Sequence, residues 1–293
     1  MKRCLNCQSA YDAPTASTDP CAACGNEITV QDGLAVYAPE HTEQSEGFKA
    51  EYLSDLAQLE ARNFWFRARN TILTWAFGKY SPADGEILEI GCGNAYVLSG
   101  LRSAYPKARL SGSEIFLSGL RFAKTRLPDV TLMQMDARAI PFTAHFDAIG
   151  AFDVLEHIEQ DEAVLAQIHA ALKPGGHLIA TVPQHRWLWS AMDDYAFHFR
   201  RYTARELQDK CTAAGFEVVR STSFVSFLLP AMLAARLGKR DVDLETLDST
   251  AELRINPVLN TLFYGIMRLE ALLIRLGLNF PAGGSRLVIA KRL

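Results

Sequence analysis

The sequence predicts an α/β fold, a doubly wound and largely parallel sheet with helices on both faces, from three observations. Short apolar runs alternate with helical patterns from residue 86 onward. The first run, Glu86–Ile90, breaks into Gly91-Cys92-Gly93, where two glycines let the chain turn sharply and leave the main chain open to a ligand. The successive runs then carry acidic residues where the C-terminal ends of strands should lie, at Glu89, Glu114, Asp136 and Asp153.

Taken in order, residues 108–113 read as the second strand, closed by Glu114, whose carboxylate can accept both hydroxyl protons of a ribose. Residues 130–135 form the third, closed by Asp136, placed to accept from an adenine amino group. Residues 146–152 form the fourth, closed by Asp153 and running into Val154-Leu155-Glu156-His157. Lys173-Pro174-Gly175-Gly176 ends a helix and feeds the fifth strand at 177–182. Residues 216–224 form the sixth and 286–290 the last.

A dinucleotide site shares the first two features, but Gly91-Cys92-Gly93-Asn94-Ala95-Tyr96 lacks the third glycine that a pyrophosphate-binding GxGxxG uses for close helix approach. At this point the chain resembles the class I S-adenosylmethionine-dependent methyltransferases, over about residues 60–225 and the last strand. The resemblance implies a Rossmann-like seven-stranded sheet with a reversed last strand and a methyl-transferring enzyme. Its cofactor site would comprise Glu89, Gly91, Cys92, Gly93, Glu114, Ile115, Asp136, Ala137, Phe152 and Asp153. Ala95 replaces the frequent third glycine of the family's GxGxG, which the start of a helix should tolerate because alanine is a strong helix former.

The chain has 293 residues, 49% of them hydrophobic, with 30 Lys and Arg against 33 Asp and Glu, so it can build a sizeable core and has no basic excess for nucleic acid. No stretch reads as long and uncharged enough to cross a bilayer, and the start lacks the apolar run of a signal peptide, which places the protein in the cytosol. In a reducing compartment paired thiols point to metal rather than disulfide. Cys4-Leu5-Asn6-Cys7 and Cys21-Ala22-Ala23-Cys24 are two such pairs, thirteen residues apart. They suit a closed tetrahedral zinc ribbon over residues 1–34, a segment too poor in large apolar side chains to fold on a core of its own. A redox pair and a disordered tail are the rival readings.

Residues 35–62 are expected to be a polar linker and then a lid helix, with Phe48, Tyr52, Leu56 and Leu59 at helical spacing and Phe64, Trp65 and Arg67 as lid candidates. Residues 63–225 with 282–293 make the methyltransferase domain, and 226–281 a helical insertion. For the proton of an oxygen acceptor the candidate catalytic groups are Asp153, His157 and His185, with histidine's ordinary pKa suited to the role. Asp153, Glu156 and His157 also form a cluster of possible ligands for a divalent ion. The loop after the fifth strand supplies Trp187, Tyr195, His198, Arg200 and Arg201 as acceptor-binding candidates, through stacking and anion clamping.

In the insertion, Val258, Leu262, Ile266, Leu269, Leu273 and Leu276 form an apolar stripe, and 224–237 is a second apolar run. Core packing, a cap on the site, a homodimer face and a peripheral membrane contact are its candidate uses. The overall expectation is a methyltransferase for a small molecule or a glycan, free or linked to a lipid carrier. An RNA methyltransferase, disfavoured by the charge balance, and a catalytically silent cofactor-binding or partner-docking module are the alternatives.

Overall fold

The computed structural model describes residues 1–41, 59–237 and 254–293. The expected lid positions Phe48, Tyr52 and Leu56 lie outside the described residues. In chain order the strands are β1 (Lys2–Arg3), β2 (Ala10–Tyr11), β3 (Thr29–Gln31), β4 (Leu34–Val36), β5 (Glu86–Ile90), β6 (Arg109–Glu114), β7 (Thr131–Gln134), β8 (Phe146–Phe152), β9 (Leu172–Pro183), β10 (Phe216–Phe224) and β11 (Ser285–Arg292). The helices are α1 (Phe64–Tyr80), α2 (Tyr96–Ala104), α3 (Leu117–Arg126), α4 (Asp161–Ala171), α5 (Ala191–Tyr195), α6 (Ala204–Ala213), α7 (Leu229–Leu237) and α8 (Pro257–Arg275).

One sheet runs in the order β10-β11-β9-β8-β5-β6-β7-β4-β3. The five strands β7, β6, β5, β8 and β9 are mutually parallel, and β11 is antiparallel to both β9 and β10. That is the expected seven-stranded sheet with a reversed last strand. Strand order changes direction at β5, so a crevice opens at its carboxyl end between β6 and β8. Each face has its own core. Ile72, Phe77, Leu98, Leu101, Leu120, Met267 and Ile274 pack on one, and Phe142, Leu165, Ile168, Tyr202 and Leu207 on the other.

Two further strands extend the sheet, β3 within the stretch expected as the zinc ribbon and β4 running from its end into the expected linker. Leu34 and Val36 are buried and Ala35 lies between them, so the three residues form a short alternating strand that pairs in parallel with β7. The Gln134 side chain bonds both backbone groups of Ala38, fixing the exit of β4. The polar stretch expected from residue 35 therefore begins as sheet.

The insertion also differs from expectation. Helix α8 packs beside α1 through Phe263, Tyr264, Met267, Ala271 and Ile274, with Phe64 and Phe263 edge to face at 5.3 Å and Arg67 over the Tyr264 ring at 3.9 Å. Buried Glu270 accepts from the backbone N–H groups of Ser226 and Phe227. The stripe singled out in the sequence is mostly not the packed face, although Ile266 of that stripe packs against the core. Val258 is 76% exposed and Leu276 70%, with Leu262 and Leu269 also outward. The helix is apolar on both sides, and its length and composition are those of a helix able to cross a bilayer, contrary to the sequence expectation. It is docked into the fold along one side only.

Candidate active site

The crevice beyond β5 opens into a cleft of about 1480 Å³, more than one small ligand ordinarily fills. One wall is the glycine turn. Gly91 and Gly93 both have positive φ, at 65° and 48°. A side chain at Gly91 would meet Val154 Cγ2 at 2.4 Å, whereas the space over Gly93 is open. The turn thus presents bare backbone where a ligand can approach, as a cofactor cradle requires. Ala95 does not act as a helix former. It is the N-cap residue of α2 in the left-handed region, φ 58°, a conformation that costs a non-glycine residue about 1 kcal/mol.

Around the turn sit the strand-end acids. Glu114 accepts from the Gly93 N–H at 3.2 Å and from its neighbour Ile115 N–H at 2.7 Å. Burial pushes its pKa up, and those backbone donors pull against the shift. Glu89 is buried, and its pKa is pushed up to about 8 by burial, against which the charge of Arg69 works. Its Oε2 is buried without a hydrogen-bond partner, so a cationic ligand group would relieve a standing cost. At the far end, burial opposes the charge of Asp136, yet Arg138 holds its carboxyl below the usual range, its Nη2 at 2.7 Å from Oδ2. The residues fit a ligand with a ribose, an amino group and an aromatic ring; Ile115, Ala137, Cys92 and Phe152 line the same wall.

Helix α1 supplies a residue that sequence reasoning passed over. Asn63 caps it by accepting from the Trp65 N–H, which fixes the first turn against the cleft. One turn after Trp65 comes Arg69, lying over that ring at 5.0 Å and pairing with Asp153 at 2.5 Å. The i, i+4 relation of Trp65 and Arg69 inside the aromatic-arginine run was the available signal. Asp153, whose φ is 57° at the end of β8, also accepts from the Thr181 hydroxyl at 3.3 Å. Its carboxylate is thus already engaged by Arg69 and Thr181. Phe64 and Trp65 line the cleft as expected of lid residues, but Arg67 is turned to Tyr264.

The opposite wall comes from β8's exit and the loop after β9. His157 lies in the cleft, its pKa lowered to about 4 by burial and by neighbouring His198, the two rings 4.6 Å apart. Tyr195, His198 and Arg201 reach the cleft; His185, Trp187 and Arg200 are not among its lining residues. His185 stacks on Trp187, ring centroids 4.8 Å apart. Arg200 pairs with Asp161 at 2.9 Å and donates to the Glu159 carbonyl. Arg201 is buried and makes two bonds to Asp193, of 2.7 and 2.9 Å, so its fork holds the loop together and cannot clamp an anion at the same time. Burial opposes the charge of Asp193, but His198, Arg201 and the Ser190 N–H keep its carboxyl well below the ordinary range. Glu156 is fully buried, neither carboxyl oxygen has a partner, and its pKa is pushed far up, first by burial and then by Asp153.

Away from the cleft the four cysteines converge. Cys4 and Cys24 sulfurs are 3.7 Å apart and those of Cys7 and Cys21 3.8 Å. Zinc–sulfur bonds of about 2.3 Å in a tetrahedron put sulfurs about 3.8 Å apart. The two pairs turn alike, with Gln8 N–H donating to the Cys4 carbonyl and Gly25 N–H to that of Cys21, each donor at positive φ. The donor set and spacing are compatible with zinc. The ribbon is bonded to the main domain, Arg3 N–H donating to the Pro141 carbonyl and Thr143 N–H to that of Met1.

Comparison with known proteins gives consistent relatives. A Mycolicibacterium smegmatis chain named a probable S-adenosylmethionine-dependent methyltransferase is 25% identical over 163 residues, 55% of this chain and 62% of that one. The O-methyltransferase cnsE of Penicillium expansum is 31% identical over 166 residues, 52% of this chain and 60% of its own. The matches thus span about three fifths of these relatives' length. Among solved structures, a chain of the complex containing the Haloferax volcanii Trm112 methyltransferase activator superposes with a TM-score of 0.57 at 16% identity, covering 85% of this chain and 99% of that one. A Haemonchus contortus phosphoethanolamine N-methyltransferase 2, solved with phosphomonomethylethanolamine and S-adenosylhomocysteine, does so with 0.56 at 15%, covering 84% and 58%. These structural likenesses speak to the fold. The model of the family described as "Methyltransferase domain" matches residues 58–221, more than half of the chain, and with the glycine turn and strand-end acids set around one cleft, this chain belongs to that family.

Proposed function

We propose that the protein transfers a methyl group from S-adenosylmethionine to a small-molecule or glycan acceptor. The observation that carries the reading is the pairing, at the switch point of the sheet, of a bare glycine turn with two acids, half-buried Glu114 and buried Glu89, the latter with an oxygen lacking any bond. Glu89 and the turn would hold the amino-acid tail, Glu114 the ribose and Asp136 the adenine end. The cofactor supplies an electrophilic methyl on a sulfonium; the chain's task is to hold the acceptor in line with it and exclude water. Room for that acceptor lies against Tyr195, Phe197, His198 and Phe199. Relatives named trans-aconitate 2-methyltransferase and malonyl-[acyl-carrier protein] O-methyltransferase support the small-molecule class.

The outward leucines of α8 extend the reading to a lipid-linked acceptor. The two arginines exposed on that helix, Arg268 and Arg275, flank the apolar face, and its single acid, Glu270, is buried. A bilayer with anionic head groups matches that combination, which would make the enzyme cytoplasmic and peripheral to the membrane. The ribbon cysteines would hold a structural zinc, since four thiolates leave no open position for a reactant.

Calorimetric titration of S-adenosylmethionine, and separately of NAD, into wild-type protein and Glu114→Ala tests the core of the proposal. Saturable binding of S-adenosylmethionine alone, lost in the variant, is expected. A preference for NAD, or no binding of either, would sink it.

A further inference from the structure

We propose that Glu40 and His41, in the segment that follows β4, recognise the amino edge of the cofactor's adenine, a role expected from the sequence to fall to Asp136. This deepens the function just proposed and rests on it, since it takes the adenine of S-adenosylmethionine to lie at the Asp136 end of the cleft.

The placement follows from strand direction. β4 runs parallel to β7, with Val36 opposite Gln134, so both strands end on the side where open α/β sheets bind ligands. Beyond β7 come Met135 and Asp136; beyond β4 come Tyr37 and Ala38 and then a short 3-10 turn, Pro39–His41. Fully buried Gln134 fixes that exit. Its side chain accepts from the Ala38 N–H at 3.0 Å and donates to the carbonyls of Ala38, at 2.8 Å, and Ile115, at 2.9 Å, which ties the exit of β4 to the residue that follows Glu114. The same Ala38 carbonyl accepts from the His41 N–H at 3.1 Å. Glu40 and His41 thereby line the cleft, with His41 Nε2 3.8 Å from Asp136 Oδ2 and 3.9 Å from Glu40 Oε1.

Asp136 is itself largely taken. Three N–H groups of Arg138 converge on it: the backbone N–H at 2.8 Å from Oδ1, Nε within 3.0 Å of both oxygens, and Nη2 at 2.7 Å from Oδ2. A carboxylate offers about four acceptor sites, so with His41 close to Oδ2 little of it is left for a ligand's amino group. The Arg138 fork also holds the Gln160 side-chain oxygen, at 3.0 Å. Glu40 and His41 stand at the same end and bring a carboxylate and a ring nitrogen, the acceptors that an amino group needs. On this assignment Asp136 anchors Arg138, and recognition of the base passes to a segment that enters the sheet from the N-terminal part of the chain.

The test is calorimetric titration of the full chain with S-adenosylhomocysteine and with S-inosylhomocysteine, in which a carbonyl oxygen replaces the adenine amino group. Wild type is expected to prefer the adenine ligand by about tenfold or more, the worth of one hydrogen bond to a charged group. In the double variant Glu40→Ala/His41→Ala the preference should fall to within about threefold, while affinity for S-inosylhomocysteine is kept. The two side chains are 65% and 40% exposed, so their removal leaves the core intact, and the retained binding of the inosine ligand shows the variant to be folded. A role in structure alone would weaken both ligands equally and leave the ratio unchanged. That result, a preference as large in the variant as in wild type, or no preference in wild type, would overturn the proposal while the cofactor reading stands. Failure of wild type to bind either ligand would overturn both.

Discussion

The two walls of the cleft are built in different ways. The wall beneath the glycine turn is made of backbone: N–H groups at Gly93 and Ile115 meet Glu114, and the acids stand where parallel strands end. The opposite wall is made of side chains bonded to side chains, through Asp193, His198 and Arg201, with the Arg200–Asp161 pair outside the lining. A wall of backbone is fixed by strand register and tolerates few departures. A wall of side-chain pairs can be re-cut by changing a few residues, which suits one cofactor meeting many acceptors.

That contrast can be broken most sharply at Arg201. Removing a partner from a buried ion pair leaves an uncompensated charge, so Arg201→Ala should destabilise the fold by about 3–5 kcal/mol, measured by urea denaturation. A change under about 1 kcal/mol would mean that the loop stands without its fork, and that the second wall is less dependent on pairing than described.

On the other wall, Glu89 tests whether a buried acid is held ready for a cation. Its folded pKa, about 8, lies above its unfolded value. The neutral form therefore contributes stability that is fully present below the unfolded pKa and is lost as pH rises through about 8. Thermal melts without ligand should show wild type losing ground to Glu89→Gln between pH 5 and about 8. Affinity for S-adenosylmethionine should move the opposite way in wild type, strengthening over the same range. Parallel melting curves for the two proteins would show that Glu89 is already charged.

A smaller effect is expected at Ala95. Since φ is 58° there, Ala95→Gly should relieve about 1 kcal/mol of strain, offset in part by the added freedom of the unfolded chain. A gain in melting temperature with cofactor affinity retained would show the strain to be incidental to binding. The smallest effect belongs to Arg200→Ala. Asp161 keeps Lys210 at 2.6 Å and the Tyr202 hydroxyl at 2.6 Å, so the loss should stay within about 1 kcal/mol. Comparing its denaturation with that of Arg201→Ala separates two adjacent arginines that look equivalent in sequence.

How much was legible in the sequence follows the same division. Strand ends could be read because an apolar run followed by an acid marks both register and position, and Glu89, Glu114, Asp136 and Asp153 all line the cleft. The partners across the second wall could not. Nothing local distinguishes Arg200, which binds Asp161, from Arg201, which binds Asp193. Helix α8 was misread for another reason: with apolar residues on both sides, periodicity says that it is a helix but not which face it buries. Strand β4 was hidden by its length, three residues being too few to show alternation.

The short hairpin of β3 and β4 has a consequence beyond the cleft. Without it, β7 would end the sheet and expose a row of unpaired backbone groups, a template for joining another chain. The hairpin follows directly on the cysteine knuckles, and Arg121 and Lys124 of α3 hold Asp32 at its turn. Whatever loosens the knuckles puts that cover at risk. If zinc holds the knuckles as proposed, chelators or oxidants would act first on the solubility of this protein, through edge-to-edge association, while the cleft inside each molecule is still whole.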